Sequence, residues 1–234
     1  MEPQQPEHIF TLHRPQVKIC GLTRIRDAVA CVKAGADAIG LVFYPKSPRH
    51  LSDERAMRIC IGLPRTVYTV GVFVNESFSA IMRRVDCCGL KAVQLHGQES
   101  PALAGRLRHQ NLVVIKALFI HGVPDISLAA DYPASAFLVE SGKGPLPGGN
   151  ALAWDWNAVK DFSTKFPAIL AGGLCPDNIA RAVSAAHPDA VDISSGVEST
   201  PGQKDHKKIT ALMNALSYQA SAIRPEANSL RRIF

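Results

Sequence analysis

Residues 17–23 read Val-Lys-Ile-Cys-Gly-Leu-Thr, an apolar run that ends on a thiol just before a glycine turn. Successive side chains of a β-strand point to opposite faces, so Lys18 and Cys20 share one face. A second run, residues 38–43, leads in the same way into a loop that carries Arg49. A thiol and a guanidinium at the ends of neighbouring strands indicate an active site better than they indicate a packed core.

Six more apolar runs follow, each short and nearly continuous, as in strands buried on both faces of a parallel sheet. The eight predicted strands are Val17–Cys20, Ala38–Phe43, Val67–Val74, Ala92–His96, Leu112–Leu118, Ala136–Glu140, Ala168–Ala171 and Ala190–Ser194. Helical periodicity lies between them, at Arg24–Ala34, Asp53–Ile61, Ser77–Cys88, Pro101–His109, Pro176–Ala186 and Lys204–Leu216. After Leu118 the helical pattern is weak, because two prolines leave only a short piece at Asp125–Ala130.

Eight strands that alternate with helical segments predict an α/β fold, a single-domain (β/α)8 TIM barrel. A doubly wound open sheet is the competing architecture, but it would usually carry a glycine-rich fingerprint after its first strand, and Gly21-Leu22-Thr23 is not one. We expect an extension at residues 1–16, the barrel at 17–217 and a peripheral tail at 218–234. Arg231 and Arg232 of that tail are expected to be solvated.

Composition limits the function classes. The 234 residues are 47% hydrophobic, yet no stretch approaches the roughly 20 apolar residues of a membrane span, and the first residues do not read as a signal peptide. The six cysteines have no paired metal-site spacing, so neither a metal site nor a disulfide framework is expected. The formal charge of +6 is scattered and aromatic residues are few, which disfavours nucleic acid as a partner. We expect a cytoplasmic protein that binds neither membrane nor nucleic acid.

Cys20 has two interpretations. A nearby ammonium from Lys18 would favour the thiolate over the thiol, whose ordinary pKa is about 8.5, and would make Cys20 a base near neutral pH. Alternatively, Cys20 is a small buried hydrophobe, the commonest fate of a free cysteine.

Other polar residues gather at the strand ends that form the active-site face of such barrels. Those at the ends of single strands are Gln94, His96, Lys116, Glu140, Asp192 and Ser194. The last two loops carry Gly172 and Gly173, and Ser194, Ser195 and Gly196, where main-chain N–H groups can approach a phosphate. The glycines could instead form only a turn before the next helix. Together the two loops favour a phosphorylated substrate.

Arg49 and His96 are ambiguous by themselves. A planar guanidinium can hold a carboxylate with two hydrogen bonds, but most loop arginines are merely solvated. A satisfied core imidazole is as good an interpretation of His96 as a catalytic one, and we expect it to line the site.

With these residues in view, the chain resembles the phosphoribosylanthranilate isomerase family of tryptophan biosynthesis over nearly all of residues 17–217. The motifs that carry the resemblance are Lys18-Ile19-Cys20-Gly21, Gly40-Leu41-Val42-Phe43 with Ser47-Pro48-Arg49, Val93-Gln94-Leu95-His96-Gly97, Ala171-Gly172-Gly173-Leu174, and residues 191–198, Val-Asp-Ile-Ser-Ser-Gly-Val-Glu.

The resemblance implies an Amadori rearrangement, in which a carboxylic acid protonates the ribose ring oxygen and a thiolate removes the C2′ proton. By similarity, Cys20 is the base, the carboxyl group at position 140 is the acid, Arg49 holds the anthranilate carboxylate and Asp192 contacts the anthranilate nitrogen. Lys18 and His96 would also line the substrate. No metal or organic cofactor is implied, and we expect a monomer or homodimer.

The chain departs from the family pattern on one loop. The family usually has aspartate where this chain has Glu140, and its Gly-Gly-Thr-Gly is replaced by Gly148-Gly149-Asn150-Ala151. An added methylene can displace a carboxyl group by about 1 Å, which can cost on the order of a hundredfold in rate. The alternative to an active isomerase is therefore a barrel that binds a phosphorylated metabolite without this turnover.

Overall fold

The barrel is closed by eight parallel strands. The structure, a computed structural model, describes residues 14–142, 154–220 and 230–234. The barrel strands are β1 (Gln16–Cys20), β2 (Ala38–Val42), β3 (Tyr68–Phe73), β4 (Ala92–Leu95), β5 (Val113–Phe119), β6 (Ala136–Glu140), β7 (Ala168–Leu170) and β8 (Ala190–Ile193). Each pairs in parallel with the next, and β8 pairs with β1. The predicted TIM barrel is confirmed.

Helices cover the outside of the barrel. They are α1 (Ile25–Lys33), α2 (Asp53–Ile61), α3 (Phe78–Cys88), α4 (Pro101–Arg108), α5 (Lys160–Lys165), α6 (Ile179–Ala186) and α7 (His206–Ala220). The weak pattern after Leu118 forms a 3₁₀ helix, Ile126–Asp131. A short hairpin, β9 (Glu198–Thr200) and β10 (Gln203–Lys204), takes up Lys204, which the periodicity had placed in a helix.

Serine caps set the starts of α2, α3 and α4. The side-chain oxygens of Ser52, Ser77 and Ser100 accept hydrogen bonds from main-chain N–H groups three residues ahead. These bonds satisfy donors that have no partner inside a helix. The helices therefore begin at fixed residues and hold the strand ends that precede them.

The inward-facing side chains of β1 form one row that runs from the floor of the barrel to its mouth. Lys18 lies opposite Ala38 of β2 and Asp192 of β8, and Cys20 lies opposite Gly40. Because side chains alternate, Gln16 lies at the floor of this row and Cys20 at its mouth. The mouth is where the strands lead into helices, the active-site end of this fold.

The tail differs from the sequence expectation at Arg231. Its guanidinium donates to Asp189 and to the main-chain oxygens of Ser163 and Phe166, so the expectation of a solvated Arg231 is wrong. Arg232 is exposed, as expected. Residues 1–13 and 221–229 lie outside the described part of the chain, so the boundaries of the two extensions stay predictions.

Candidate active site

A cavity opens at the mouth of the barrel between Cys20 and Glu140. Cys20 ends β1 and Glu140 ends β6, so the two groups reach the cavity from separate strands. The other predicted residues that line it are Arg49, Gln94, His96, Asp192, Gly172, Gly173, Ser194 and Ser195. Lining residues that the sequence analysis did not single out include Tyr44, Val72 and Val74. The polar strand ends are thus brought together around one space.

Three predicted residues lie outside this lining. Lys18 is fully buried one step below the mouth. Gly196 borders a separate depression with Asp177 and Lys207, and a Cβ there would meet the Leu174 oxygen at 1.9 Å. Lys116, also expected at the mouth, is turned away and paired with Glu99 at 2.9 Å, where it fixes the turn after β4.

The Lys18 ammonium forms an ion pair with a neighbouring carboxylate. Its Nζ donates to Asp192 Oδ1 at 2.8 Å, and Cys20 is a second group that favours the charged form of Lys18. Burial by itself would lower the pKa of Lys18, but Asp192 and Cys20 outweigh burial and the pKa is raised. Lys18 therefore stays charged inside the barrel.

The pKa of Cys20 is raised, which contradicts the interpretation in which Lys18 favours the thiolate. Burial raises the pKa of Cys20; Lys18 and Lys204 lower it, but Asp192 raises it again, so the pKa lies above its ordinary value. The physical reason is that Lys18 is already neutralised by Asp192, and a nearly dry site penalises an anion. The predicted depressed pKa is corrected here, while the predicted position of the sulfur is confirmed.

Gly40 makes room for the Cys20 sulfur. A Cβ built on Gly40 would lie 2.6 Å from Cys20 Sγ and 3.1 Å from Cys20 Cα. Only a residue without a side chain fits at this register position beside the thiol.

Arg49 is held by a carboxylate that the sequence analysis gave no role. Its Nε and Nη2 donate to the two oxygens of Glu198 at 2.9 and 2.6 Å, and Lys204 donates to Glu198 Oε1 at 2.8 Å. Burial opposes ionisation of Glu198, but the bonds from Arg49 and Lys204 outweigh it and lower its pKa. One edge of the guanidinium is therefore occupied, and Nη1 is left to face a ligand carboxylate. Glu198 closes the last sequence motif, which was the signal available for it.

Glu140 faces an imidazole. His96 Nε2 lies 3.7 Å from Glu140 Oε1, and His96 Nδ1 lies 2.8 Å from Gln94 Nε2. Among the described residues, the buried atoms Gln94 Oε1 and His96 Nε2 have no hydrogen-bond partner. If Gln94 donates to Nδ1, the proton of the neutral ring is on Nε2 and points toward the carboxyl group. These two polar atoms are available to a ligand.

The turn after β7 presents main-chain donors. Gly172 and Gly173 have φ of +86° and +68°, and a Cβ on Gly172 would meet Trp154 Nε1 at 2.9 Å. Within the described ranges, no carbonyl accepts a hydrogen bond from the N–H of either glycine. The altered loop at Gly148–Ala151 lies outside the described residues.

Nothing described resembles a metal or membrane site. In residues 14–142, 154–220 and 230–234, no group of three or more His, Cys, Asp or Glu side chains is arranged to hold a metal ion. The helices in these same ranges are each too short or too polar to cross a bilayer.

Comparison with known proteins gives a consistent result. A family model described as N-(5'phosphoribosyl)anthranilate (PRA) isomerase matches residues 17–215. The chain is similar to the N-(5'-phosphoribosyl)anthranilate isomerase of Desulfatibacillum aliphaticivorans, with 47% identity over 87% of this chain and 96% of that protein. It is also similar to the one of Thermotoga petrophila, with 44% identity over 86% and 98%.

Solved structures agree. The crystal structure of phosphoribosyl anthranilate isomerase from Thermotoga maritima matches with a TM-score of 0.80 and 40% identity, over 87% of this chain and 99% of that one. A structure of a phosphoribosyl anthranilate isomerase in complex with reduced 1-(o-carboxyphenylamino)-1-deoxyribulose 5-phosphate matches with a TM-score of 0.78 and 38% identity over the same shares.

Proposed function

The chain belongs to the N-(5'-phosphoribosyl)anthranilate isomerase family, and from that premise we propose how the mouth of its barrel carries out the reaction. The protein isomerises N-(5'-phosphoribosyl)anthranilate to 1-(2-carboxyphenylamino)-1-deoxyribulose 5-phosphate, a step of tryptophan biosynthesis. The observation that carries the mechanism is the cavity that Cys20 and Glu140 share from separate strands. An aldose-to-ketose conversion needs an acid and a base near one sugar.

Glu140 is the acid. Its carboxyl group gives a proton to the ribose ring oxygen as the C1′–O bond breaks, and the nitrogen lone pair forms the C1′ iminium. Cys20 is the base. Its thiolate takes the C2′ proton, the C2′–H electron pair moves to form the enolamine, and that enolamine tautomerises to the ketone. Each proton thus leaves or enters through one of the two groups that face the cavity.

The raised pKa of Cys20 changes how the base works, not whether it works. At neutral pH only a small fraction is thiolate, but a thiolate of higher pKa is the stronger base. Lys18, held in place by Asp192, lies beside the sulfur and stabilises the thiolate when it forms. The ion pair therefore serves the reaction from beneath the mouth.

His96 and Gln94 position the acid. The Nε2 atom of His96 lies 3.7 Å from Glu140 Oε1, and the Gln94 amide fixes the ring that carries it. This contact directs the longer glutamate side chain, and its effect is on the carboxyl group and not on the substrate carbon. Glu140 reaches the sugar with this support in place of the family's shorter aspartate.

The remaining polar groups bind the two ends of the substrate. Arg49 offers Nη1 to the anthranilate carboxylate while Glu198 holds its other edge. Asp192 contacts the anthranilate nitrogen. The N–H groups of Gly172 and Gly173, with Ser194 and Ser195 of the next loop, take the phosphate; glycine turns allow such close approach of the main chain to an anion.

The test is the loss of substrate fluorescence when purified protein is added. We expect turnover by the wild type, loss of at least about a hundredfold in kcat for Cys20→Ser, and no loss for Cys31→Ser, a fully buried cysteine of α1 away from the cavity. A wild type that binds a product analogue in calorimetry but turns nothing over would reject the isomerase and favour a metabolite-binding barrel.

Assembly and location are proposed from the relatives. A Thermotoga maritima relative is described as a dimeric enzyme from which monomers were made, and we propose that this chain is a monomer or homodimer. We also propose that it works in the cytoplasm, on a phosphorylated small molecule, without nucleic acid or membrane. Mass measurement by light scattering tests the first point.

A further inference from the structure

The floor of the barrel, opposite the active site, is lined by unusually small side chains. The even-numbered strands β2, β4, β6 and β8 each begin with alanine, namely Ala38, Ala92, Ala136 and Ala190. Alternate strands of a TIM barrel supply the four side chains of one layer, and bulky branched residues usually fill it. Four methyl groups leave space at the floor for another element.

Ile233 and Phe234 occupy that space. They are only 8% and 3% exposed and belong to the same apolar cluster as the four alanines. The Phe234 ring also lies 5.9 Å from the ring of Tyr68, at the start of β3. The segment Arg231–Phe234, named here the floor segment, therefore packs into the barrel and not against its surface.

One buried side-chain amide, that of Gln16, forms hydrogen bonds with the main chain of the floor segment. Gln16 Oε1 accepts from the N–H of Ile233 at 2.7 Å and of Phe234 at 3.0 Å, and Gln16 Nε2 donates to the Phe234 oxygen at 2.7 Å. Gln16 is 3% exposed. A buried amide costs free energy unless it is hydrogen-bonded, so removal of the segment would leave this group unsatisfied.

Arg231 adds charged contacts that connect the segments preceding β7 and β8. Its N–H and Nε donate to Asp189 at 2.9 and 3.0 Å, and Nη2 donates to the main-chain oxygens of Ser163 and Phe166. Asp189 precedes β8, whereas Ser163 and Phe166 precede β7. The β7–β8 ladder has only two pairs in register, the shortest in the barrel.

We propose that the barrel floor is a peptide-binding site whose ligand is a segment of the form Arg-x-Ile-Phe, supplied in this protein by the floor segment. The site combines an acidic group for the arginine, an amide for the main chain and an alanine-lined cup for the two apolar side chains. It fastens β7, β8 and β1 where the barrel closes. The family model ends at residue 215, before this segment, so the proposal is independent of the isomerase function.

Thermal unfolding of full-length variants gives the first test. Phe234→Ala removes a buried ring and is expected to lower Tm by roughly 5–10 °C, whereas the neighbouring exposed Arg232→Ala is expected to change Tm by about 2 °C or less. The kcat of both variants at 25 °C should stay within about twofold of wild type, because neither residue borders the mouth. Equal Tm values for wild type and Phe234→Ala would overturn the proposal.

Binding in trans gives the second test. The probe is the pentapeptide Leu-Arg-Arg-Ile-Phe with a fluorophore on an amino-terminal linker. The full-length double variant I233D/F234D, whose own segment cannot enter the apolar cup, should bind the probe and gain about 2–5 °C in Tm at saturation. Wild type should bind far more weakly, since its tethered segment competes at a high effective concentration. If I233D/F234D unfolds, the milder Arg231→Met replaces it.

The control probe carries glutamate in place of the first arginine. We expect it to bind at least about tenfold more weakly, because it places a carboxylate against Asp189. Equal binding of both probes, or no binding of the pentapeptide to a folded variant with a weakened floor segment, would refute the recognition of Arg-x-Ile-Phe.

Discussion

Replacing Gly40 with alanine should displace the Cys20 sulfur and so lower activity without changing the chemistry of the thiol. The new Cβ would lie 2.6 Å from Cys20 Sγ and 3.1 Å from Cys20 Cα. The Cα belongs to the adjacent strand and cannot yield, so the sulfur must turn away by roughly 1 Å. A displacement of that size costs on the order of a hundredfold in rate, or about 2.7 kcal/mol on the activation barrier.

The steady-state fluorescence assay separates this effect from a loss of folding. Gly40→Ala should lower kcat by about a hundredfold and leave KM within a few-fold, because the phosphate contacts come from the loops after β7 and β8, and Arg49 is held in place by Glu198. Gly71→Ala is the matched control. It places a Cβ 2.6 Å from Leu90 Cδ1 and 2.8 Å from Phe73 Cε2, an equal clash in the middle of β3 with no residue of the site.

Gly71→Ala should therefore lower Tm while kcat stays within about twofold. A Gly40→Ala variant with kcat within about threefold of wild type would refute the argument, since the sulfur would then tolerate displacement. A similar loss of kcat in both variants would also refute it, because the cause would be general destabilisation.

Three further outcomes follow from the site. Because burial raises the pKa of Cys20, the ultraviolet absorbance of a thiolate that wild type shows and Cys20→Ser lacks should be nearly absent at neutral pH and should grow only as the pH is made alkaline; a full thiolate signal already at neutral pH would contradict this. Glu140→Gln keeps the shape but holds no acidic proton, and should lower kcat by about 10²–10⁴-fold in the same assay. Lys18→Met leaves Asp192, whose side chain is 9% exposed, without its partner and should lower the free energy of unfolding by about 3–5 kcal/mol in urea titrations; an unchanged midpoint would show that the pair is not needed.

The barrel could be predicted from the sequence because each strand is a short, nearly continuous apolar run, which is typical of strands buried on both faces of a parallel sheet. The positions of Cys20 and Glu140 followed, since the last residue of a strand in this fold faces the mouth. What failed depended on contacts between distant parts of the chain. Asp192 pairs with Lys18 although the two are 174 residues apart in the chain, and no local sequence pattern indicates that pair.

The same reason explains the other surprises. Glu198 takes up one edge of Arg49 from 149 residues away, and closure of the barrel alone brings them together. The floor segment has too few residues for periodicity to be read, so its burial could not be foreseen. The pattern of charged and apolar residues locates the strands and helices along the chain. Which distant residues become hydrogen-bond partners is decided by the closure and register of the barrel.

The sharpest test of the shared Cys20 and Glu140 site is a structure of the protein with the reduced product analogue 1-(o-carboxyphenylamino)-1-deoxyribulose 5-phosphate bound. We expect Cys20 Sγ and a Glu140 oxygen on the same sugar, each about 3–3.5 Å from the atom with which it exchanges a proton. A bound sugar with either group more than about 6 Å from that atom, on a distance scale set by the same contact geometry, would contradict it.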